Sequence, residues 1–334
     1  MSFRFETFVA GREPPPAFAA LDGPPGAAPE PVPPGTRCAV VFEGDRPLAR
    51  CSLGVREDLH GASGRSGWIG HYQARTAEAG VALLREAGAR LGGEGAVRVL
   101  GPMNGTTWAR YRLALEPEPQ DPTPDPPAFP GEPTNPPDYP RHFEAAGFAV
   151  AARYESRLDD LAADPEDVAA VAGRVAAAGL SLRPLDLSRF DAELDLLFEL
   201  SLASFADNLY YAPIEAGTFR AMYQPLRGRI DPEFVLIGLD RDEAPCGYVF
   251  AFADPPGAGP GVERLVCKTI AVLPRARGQG LANHMLDRVR WSARRRGLRQ
   301  LVHALMHVSN FSTRMSARHG GRVFRRYALY QWTP

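Results

Sequence analysis

Residues 265–291 constrain the chain more than any other stretch. Residues 265–272 are apolar and β-branched, which reads as a strand, and Pro274 ends it. Arg275-Ala-Arg-Gly-Gln-Gly280 follows, and then Leu281, Met285, Leu286 and Val289 recur at the three- and four-residue spacing of an amphipathic helix. A short glycine-bearing turn therefore joins a strand to a helix N-terminus. Such a turn leaves several backbone N–H groups unpaired, and with the helix dipole they make a site for phosphate. Side chains at Gly278 or Gly280 would hold an anion away from that backbone. Two phosphate loops are excluded, because the strand is followed by neither G-x-x-x-x-G-K-[ST] nor G-x-G-x-x-G.

The six residues fit [Q/R]-x-x-G-x-[G/A], a pattern that resembles the coenzyme A pyrophosphate loop of the GNAT N-acetyltransferase superfamily. The flanks extend the likeness: Ile270-Ala-Val-Leu-Pro274 resembles the family's fourth strand, and Leu281-Ala282 the start of its third helix. The resemblance implies an α/β (α+β) fold, a mixed central sheet flanked by helices, with an acyl-coenzyme A donor. Residues 181–334 carry a matching order of elements. Strand 181–184 is followed by helices 191–205 and 215–226, then a hairpin of strands 234–239 and 246–253. The central strand, loop and helix come next, then strand 300–308, helix 310–319 and strand 323–332.

Composition bounds the partners. The net charge is -1 over 334 residues, which gives no global attraction to nucleic acid or an anionic membrane. Arg288, Arg290, Arg294, Arg295, Arg296 and Arg299 read as one solvated helix face. Cys38, Cys51, Cys246 and Cys267 have neither C-x-x-C spacing nor a histidine cluster, so buried thiols are expected and no metal. Without an 18-residue apolar run, a cytoplasmic protein is expected; monomer and homodimer both stay open.

The first half reads as a second copy. Strands 37–42, 48–55 and 66–73, helix 76–91, strand 96–100, a short helix ending at Gly147 and strand 150–158 are expected. Asn104-Gly-Thr-Thr107 and Asn310-Phe-Ser-Thr313 have the same Asn to Thr spacing in the two halves. Residues 14–34 and the segment 116–140, with its eleven prolines, read as loops, the latter an insertion. Two tandem GNAT-like domains follow: 1–158, with no G-x-G after its strand and hence degenerate; a connecting helix in 159–180, starting at Asp164-Pro165; and 181–334, which binds acyl-coenzyme A.

By resemblance, the backbone of Ile270, Ala271 and Val272 pairs with the pantetheine arm and polarises the thioester. Arg275, Arg277, Gly278, Gln279, Gly280, Leu281 and Ala282 hold the pyrophosphate. Asn310 and Ser312 bind the cofactor tail, although Asn310 also suits a helix N-cap. Glu263 stands where relatives carry a base, or it is a solvated strand end. His303 and His307 share a strand face and either relay protons or pack. The tyrosine that relatives place seven residues after the Asn is Ala317 here, which leaves Ser309 and Tyr327 as substitute acids, or none at all, since a thiolate is a tolerable leaving group. Asn208, Tyr210 and Tyr211 suit a wall for a small amine or amino-acid-like acceptor, or a loop anchored by buried rings. The function implied is an acyl-coenzyme A-dependent N-acyltransferase, with acetyl as the group moved. A catalytically silent acyl-coenzyme A sensor and an aminoacyl or peptidyl transferase are the alternatives.

Overall fold

The structure is a computed structural model, and it describes residues 3–21, 31–116, 126–254 and 263–334. The first half runs β1 (Arg4–Val9), α1 (Pro16–Ala19), β2 (Arg37–Glu43), β3 (Arg46–Arg56), β4 (Ser66–Ala74), α2 (Ala77–Gly93), β5 (Arg98–Gly101), β6 (Leu113–Ala114), α3 (Tyr139–Ala145) and β7 (Ala149–Asp159). α4 (Val168–Ala177) links it to β8 (Ser181–Pro184), α5 (Phe190–Phe205), α6 (Ala216–Tyr223), β9 (Val235–Leu239), β10 (Pro245–Ala253) and β11 (Arg264–Val272). α7 (Leu281–Arg295), β12 (Gln300–His307), α8 (Phe311–Arg318) and β13 (Arg322–Trp332) complete the chain. The expected helix over 215–226 stops at Tyr223 and tightens into a 3-10 turn, where Pro225 enters. The connecting helix starts at Val168, and Asp164 does not cap it but pairs with Arg290 and Arg294.

Mixed apolar and polar strands join in one sheet ordered β1-β2-β3-β4-β5-β13-β7-β12-β11-β10-β9-β8, with β6 beside β13. The order reveals an exchange. β7, the last strand of the first half, pairs with β12 of the second, from Leu301↔Asp159 to His307↔Tyr154. β13, the last strand of the second half, pairs with β5 of the first, from Tyr330↔Gly101 to Trp332↔Val99. β7 and β13 pair with each other along most of their length. A division at residue 158 therefore separates the repeats in sequence and not in space, since each half is completed by the other's closing strand.

Helices cover both faces of the second-half sheet. Met285, Leu286 and Val289 of α7 pack on one face, and Leu194 and Leu197 of α5 on the other. The stripe that predicted α7 is thus the buried one. Its arginines do not form one solvated face, however. Arg290 is fully buried, with Nε 2.6 Å from Asp159 Oδ2 and Nη2 3.1 Å from Asp159 Oδ1. This pair ties α7 to the exchanged strand β7.

The Pro-rich segment also does more than loop outward. Residues 117–125 lie outside the described residues, but Phe129 and Glu132 are buried against the sheet. The Pro127 carbonyl accepts from Arg264 Nη1 at 3.0 Å. Residues 22–30 of the first loop likewise lie outside the described residues.

Beside the Arg290–Asp159 pair, His303 Nε2 stands 3.8 Å from Asp159 Oδ2. Burial outweighs that carboxylate, whose charge Arg290 already meets, and holds the imidazole down to about 4. His319 is held down to about 2, first by burial and then by Arg290 and Arg318. An unfolded chain protonates histidine near 6.5, so the unfolded state binds more protons below that value. This part of the stability is present above about pH 6.5 and lost as pH falls through about 4, at about 3 kcal/mol for His303. Thermal melts at pH 7 and pH 4 should show the loss, and His303→Gln should show a smaller one. An equal loss in both proteins would contradict this origin.

Candidate active site

Parallel pairing of β11 with β12 runs from Arg264↔Gln300 to Cys267↔His303 and then stops, although both strands continue. A bulge explains the parting. The β12–β7 register shifts between His303 and Met306, Leu305 takes φ +56°, and its N–H goes to Ser156 Oγ at 3.0 Å. β12 is thereby bent away, while β11 stays on β10 through Val272↔Gly247. Alternate backbone groups of residues 268–272 that β10 does not pair face the opening.

A cavity of about 520 Å³ lies in this opening. Its walls include Cys267–Ile270 of β11, His303–His307 of β12, and Ser309, Asn310 and Ser312 around the start of α8. Asn208 and Tyr211 come from the loop after α5. The first half supplies Thr107, Trp108, Tyr111, Arg112 and Tyr154. Sequence reasoning missed these last residues, because nothing local signals that β7 and the loop after β5 reach the second half.

At one end of β11 lies the glycine turn. Gly278 and Gly280 have φ +78° and +90°, left-handed values that favour glycine, and Gly280 is the N-cap of α7. Gly280 is therefore not helical, and a Cβ there would face Val175 and Val171 of α4 at 3.5 and 3.7 Å. The N–H groups of Gly278, Gln279 and Gly280 have no backbone acceptor among the described residues, and Leu281 and Ala282 open the helix without a side-chain cap. These five amides can hold an anion. The arginine side chains of the motif are engaged elsewhere. Arg275 Nη2 lies 3.1 Å from Asp240 Oδ2 and 3.0 Å from the Pro245 carbonyl. Arg277 turns back to the carbonyls of Val272 and Ser204, at 3.1 Å each, and fastens the end of β11 to α5. Gln279 Nε2 returns to the Arg275 carbonyl at 3.1 Å.

His307 is the proton-handling group best placed in the cavity. Its Nδ1 lies 2.8 Å from Ser309 Oγ and accepts from the Ser309 N–H at 3.2 Å. The amide is a fixed donor, so Nδ1 is the acceptor and the neutral ring carries its hydrogen on Nε2. The Ser309 hydroxyl then donates to Nδ1. Burial, and after it Arg112, holds the His307 pKa below the usual histidine value. Asn310 is the N-cap of α8 but makes no side-chain cap bond, which leaves its amide to the cavity wall. Thr313 Oγ1 bonds the Asn310 carbonyl at 2.8 Å instead.

Three expected site residues stand apart from the cavity. Glu263 is exposed at the far end of β11, 2.9 Å from Arg299. Tyr327 is fully buried in β13 and donates to Glu132 Oε1 at 2.5 Å, held there by the Pro-rich segment. Tyr210 has φ +60°, and its N–H donates to the His60 carbonyl at 2.8 Å, so it anchors its loop to the first half, while its hydroxyl lies 3.5 Å from Gln331 Oε1 of β13. Ala317 is exposed on α8 and does not line the cavity. Cys267 does line it, but burial pushes its thiol up to about 12 and leaves no thiolate for a covalent route.

Residues 197–320, which span the cavity strands and the glycine turn, match the acetyltransferase (GNAT) family. The second half is a GNAT domain. Solved structures extend the GNAT fold to the whole chain. A GCN5-related N-acetyltransferase from Sphaerobacter thermophilus is 16% identical, with TM-score 0.53, over 98% of this chain and 95% of its own. A tandem GNAT protein from the clavulanic acid biosynthesis pathway is 15% identical, with TM-score 0.52, over 99% and 98%. A probable N-acyltransferase from Enterococcus faecalis is 9% identical, with TM-score 0.56, over 100% and 73%. At such identities the likeness is one of fold. No curated protein matches the sequence.

The corresponding opening of the first GNAT-like half is filled by its own chain. β4 and β5 pair in parallel from Ser66↔Arg98 to Trp68↔Leu100 and then part. Beyond that point the Met103 N–H goes to the Ile69 carbonyl at 2.7 Å, and Asn104 Oδ1 accepts from the His71 N–H at 2.7 Å. A Cβ on Gly70 would stand 2.4 Å from the Met103 carbonyl. The helix N-terminus is closed too, since Thr76 Oγ1 accepts from the Ala79 N–H at 3.3 Å. Asn104 is thus turned inward as a plug, whereas Asn310 faces the cavity.

Proposed function

We propose that the protein is an acyl-coenzyme A-dependent N-acyltransferase that moves an acetyl group to a small amine. The second half carries the donor, and the first half is a degenerate copy that walls the acceptor. The observation that carries this reading is the unpaired opening between β11 and β12 with an uncapped glycine turn beside it. A donor thioester entering that opening would meet the free edge of residues 268–272, which can pair with its amide-bearing arm as an added strand would. One free N–H there would polarise the carbonyl. Asn310 and Ser312 flank the same opening. Acetyl is the group named by the matched family.

The residues divide the chemistry as follows. An alkylammonium is only about one part in a thousand neutral at pH 7, so its proton must be taken up. The Ser309 hydroxyl accepts it as its own proton passes to His307 Nδ1. The amine nitrogen then attacks the thioester carbon, the C–N bond forms and the C–S bond breaks. Sulfur leaves as thiolate, a tolerable leaving group that needs no tyrosine at position 317, and takes up the second proton, which the nitrogen sheds as the amide forms. Coenzyme A release against an amine panel tests the reading, and tight donor binding without turnover would indicate a sensor instead.

His307→Gln should lower kcat by about 10²–10⁴ while donor affinity stays unchanged. Because burial holds His307 below the usual histidine range, the acidic limb of the rate profile should fall below pH 6.5, with full activity above it. A variant with unchanged kcat and the parent's pH profile would remove His307 from the mechanism.

A further inference from the structure

We propose that the acceptor carries a carboxylate, and that Arg112 of the first half is the residue that selects it. This rests on reading the cavity as the acyl-transfer site. Arg112 lines that cavity and is only 8% exposed. Its guanidinium lies 3.8 Å from the Tyr111 ring centroid and 4.1 Å from that of Tyr154. Nη1 donates to the Leu305 carbonyl at 3.1 Å, in the bulge that opens the cavity. Nε is buried without a hydrogen-bond partner, and no carboxylate among the described residues forms an ion pair with this arginine.

A buried guanidinium ordinarily faces a carboxylate. The two most deeply buried arginines do so: Arg264 with Asp254 at 2.6 Å, and Arg290 with Asp159 at 2.6 Å. Arg112 lies over two tyrosine rings and gives Nη1 to one carbonyl, which leaves its Nε edge for a ligand. A guanidinium edge offers two parallel N–H groups, the geometry that a planar carboxylate accepts. The other formal charges on the wall do not compete for this position. Lys268 and Asp207 are both exposed, and burial holds His303 and His307 toward neutrality. Tyr211, 7% exposed on the same wall, has its ring centroid 5.9 Å from that of Trp108, whose Nε1 donates to the Ala212 carbonyl at 3.0 Å. The Tyr211 hydroxyl is a second polar group on the wall that also holds the arginine. The substrate class is an aminocarboxylate, with its amine toward Ser309 and its acid toward Arg112.

The test uses the full chain and paired acceptors that differ by one carboxylate: leucine with isoamylamine, and phenylalanine with phenethylamine. Coenzyme A release should favour the amino acids in kcat/KM by about tenfold to a hundredfold, the range of a charge-assisted hydrogen bond. Arg112→Gln should erase that preference, mainly through KM, and leave acetyl-coenzyme A affinity unchanged. Arg112→Lys should restore part of it. A parent enzyme that prefers the amines, or a variant that loses both members of a pair equally, would overturn the assignment. So would a fall in acetyl-coenzyme A affinity, which would make Arg112 a donor contact. If no acceptor is turned over, the acyl-transfer reading fails, and the carboxylate site is then read by binding alone. The amino acids should raise the melting temperature of the parent and not of Arg112→Gln. Equal shifts for acid and amine, or none for any acid, would overturn the site as well.

Discussion

Residues 181–334 expressed alone will not fold into the sheet that they form in the full chain. Among the described residues β13 pairs only with β5, β6 and β7, all from the first half, so the fragment keeps none of these partners. β12 loses β7 as well and is left with its short parallel pairing to β11. The fragment would also hold Arg290, fully buried in the whole chain, without Asp159 or Asp164. Leaving such a charge unpaired costs about 3–5 kcal/mol. That is a large share of the about 5–15 kcal/mol that keeps a domain folded, even before the lost strand pairing is counted. Gel filtration and amide NMR should show an aggregated or unfolded fragment, and co-expression with residues 1–180 should restore a folded complex. A monomeric fragment with dispersed spectra and full acetyl-coenzyme A affinity would show that the exchange is not needed for folding.

The local pattern around the glycine turn was legible because strand, breaker and helix each have a short-range signature. Leu281, Met285, Leu286 and Val289 form the buried stripe of α7, as their spacing requires. The exchange was not legible, because the alternation in β7 and β13 says which side chains face inward and nothing about which strand lies alongside. Every misplaced site residue follows from that gap or from an unseen tertiary partner. Tyr327 was expected at the site, but in the sheet the Glu132 carboxylate from the Pro-rich segment claims its hydroxyl. Glu263 lies at the opposite end of β11 from the parting of the strands. Conversely, Tyr154 meets His307 edge to face, with ring centroids 5.1 Å apart, only because β7 crosses into the second half. β1 was missed because its exposed residues lack a clean apolar alternation, and pairing with β2 forms it.

The proposed donor site gives the second large effect. At Gly280 any L residue must adopt φ near +90°, which costs about 1–2 kcal/mol. Space itself is not the obstacle, since a Cβ would meet Val175 and Val171 at ordinary contact distance. Relaxing the N-cap would turn the amides of residues 278–282 out of convergence, and a glutamate there would add like charge beside the anion. Loss of two charge-assisted hydrogen bonds, each worth about 1.5–3 kcal/mol, weakens binding at least about a hundredfold. Thr76 caps the corresponding helix of the first half, where the opening is already plugged, so Thr76→Gly should leave donor affinity unchanged. The most direct measurement is a calorimetric titration of acetyl-coenzyme A into the parent, Gly280→Glu and Thr76→Gly, each first checked for folding by its melt. One site per chain should be found in the parent and in Thr76→Gly, and no measurable site in a folded Gly280→Glu. Two equivalent sites in the parent, or parent-like affinity in a folded Gly280→Glu, would contradict a single donor site at this turn.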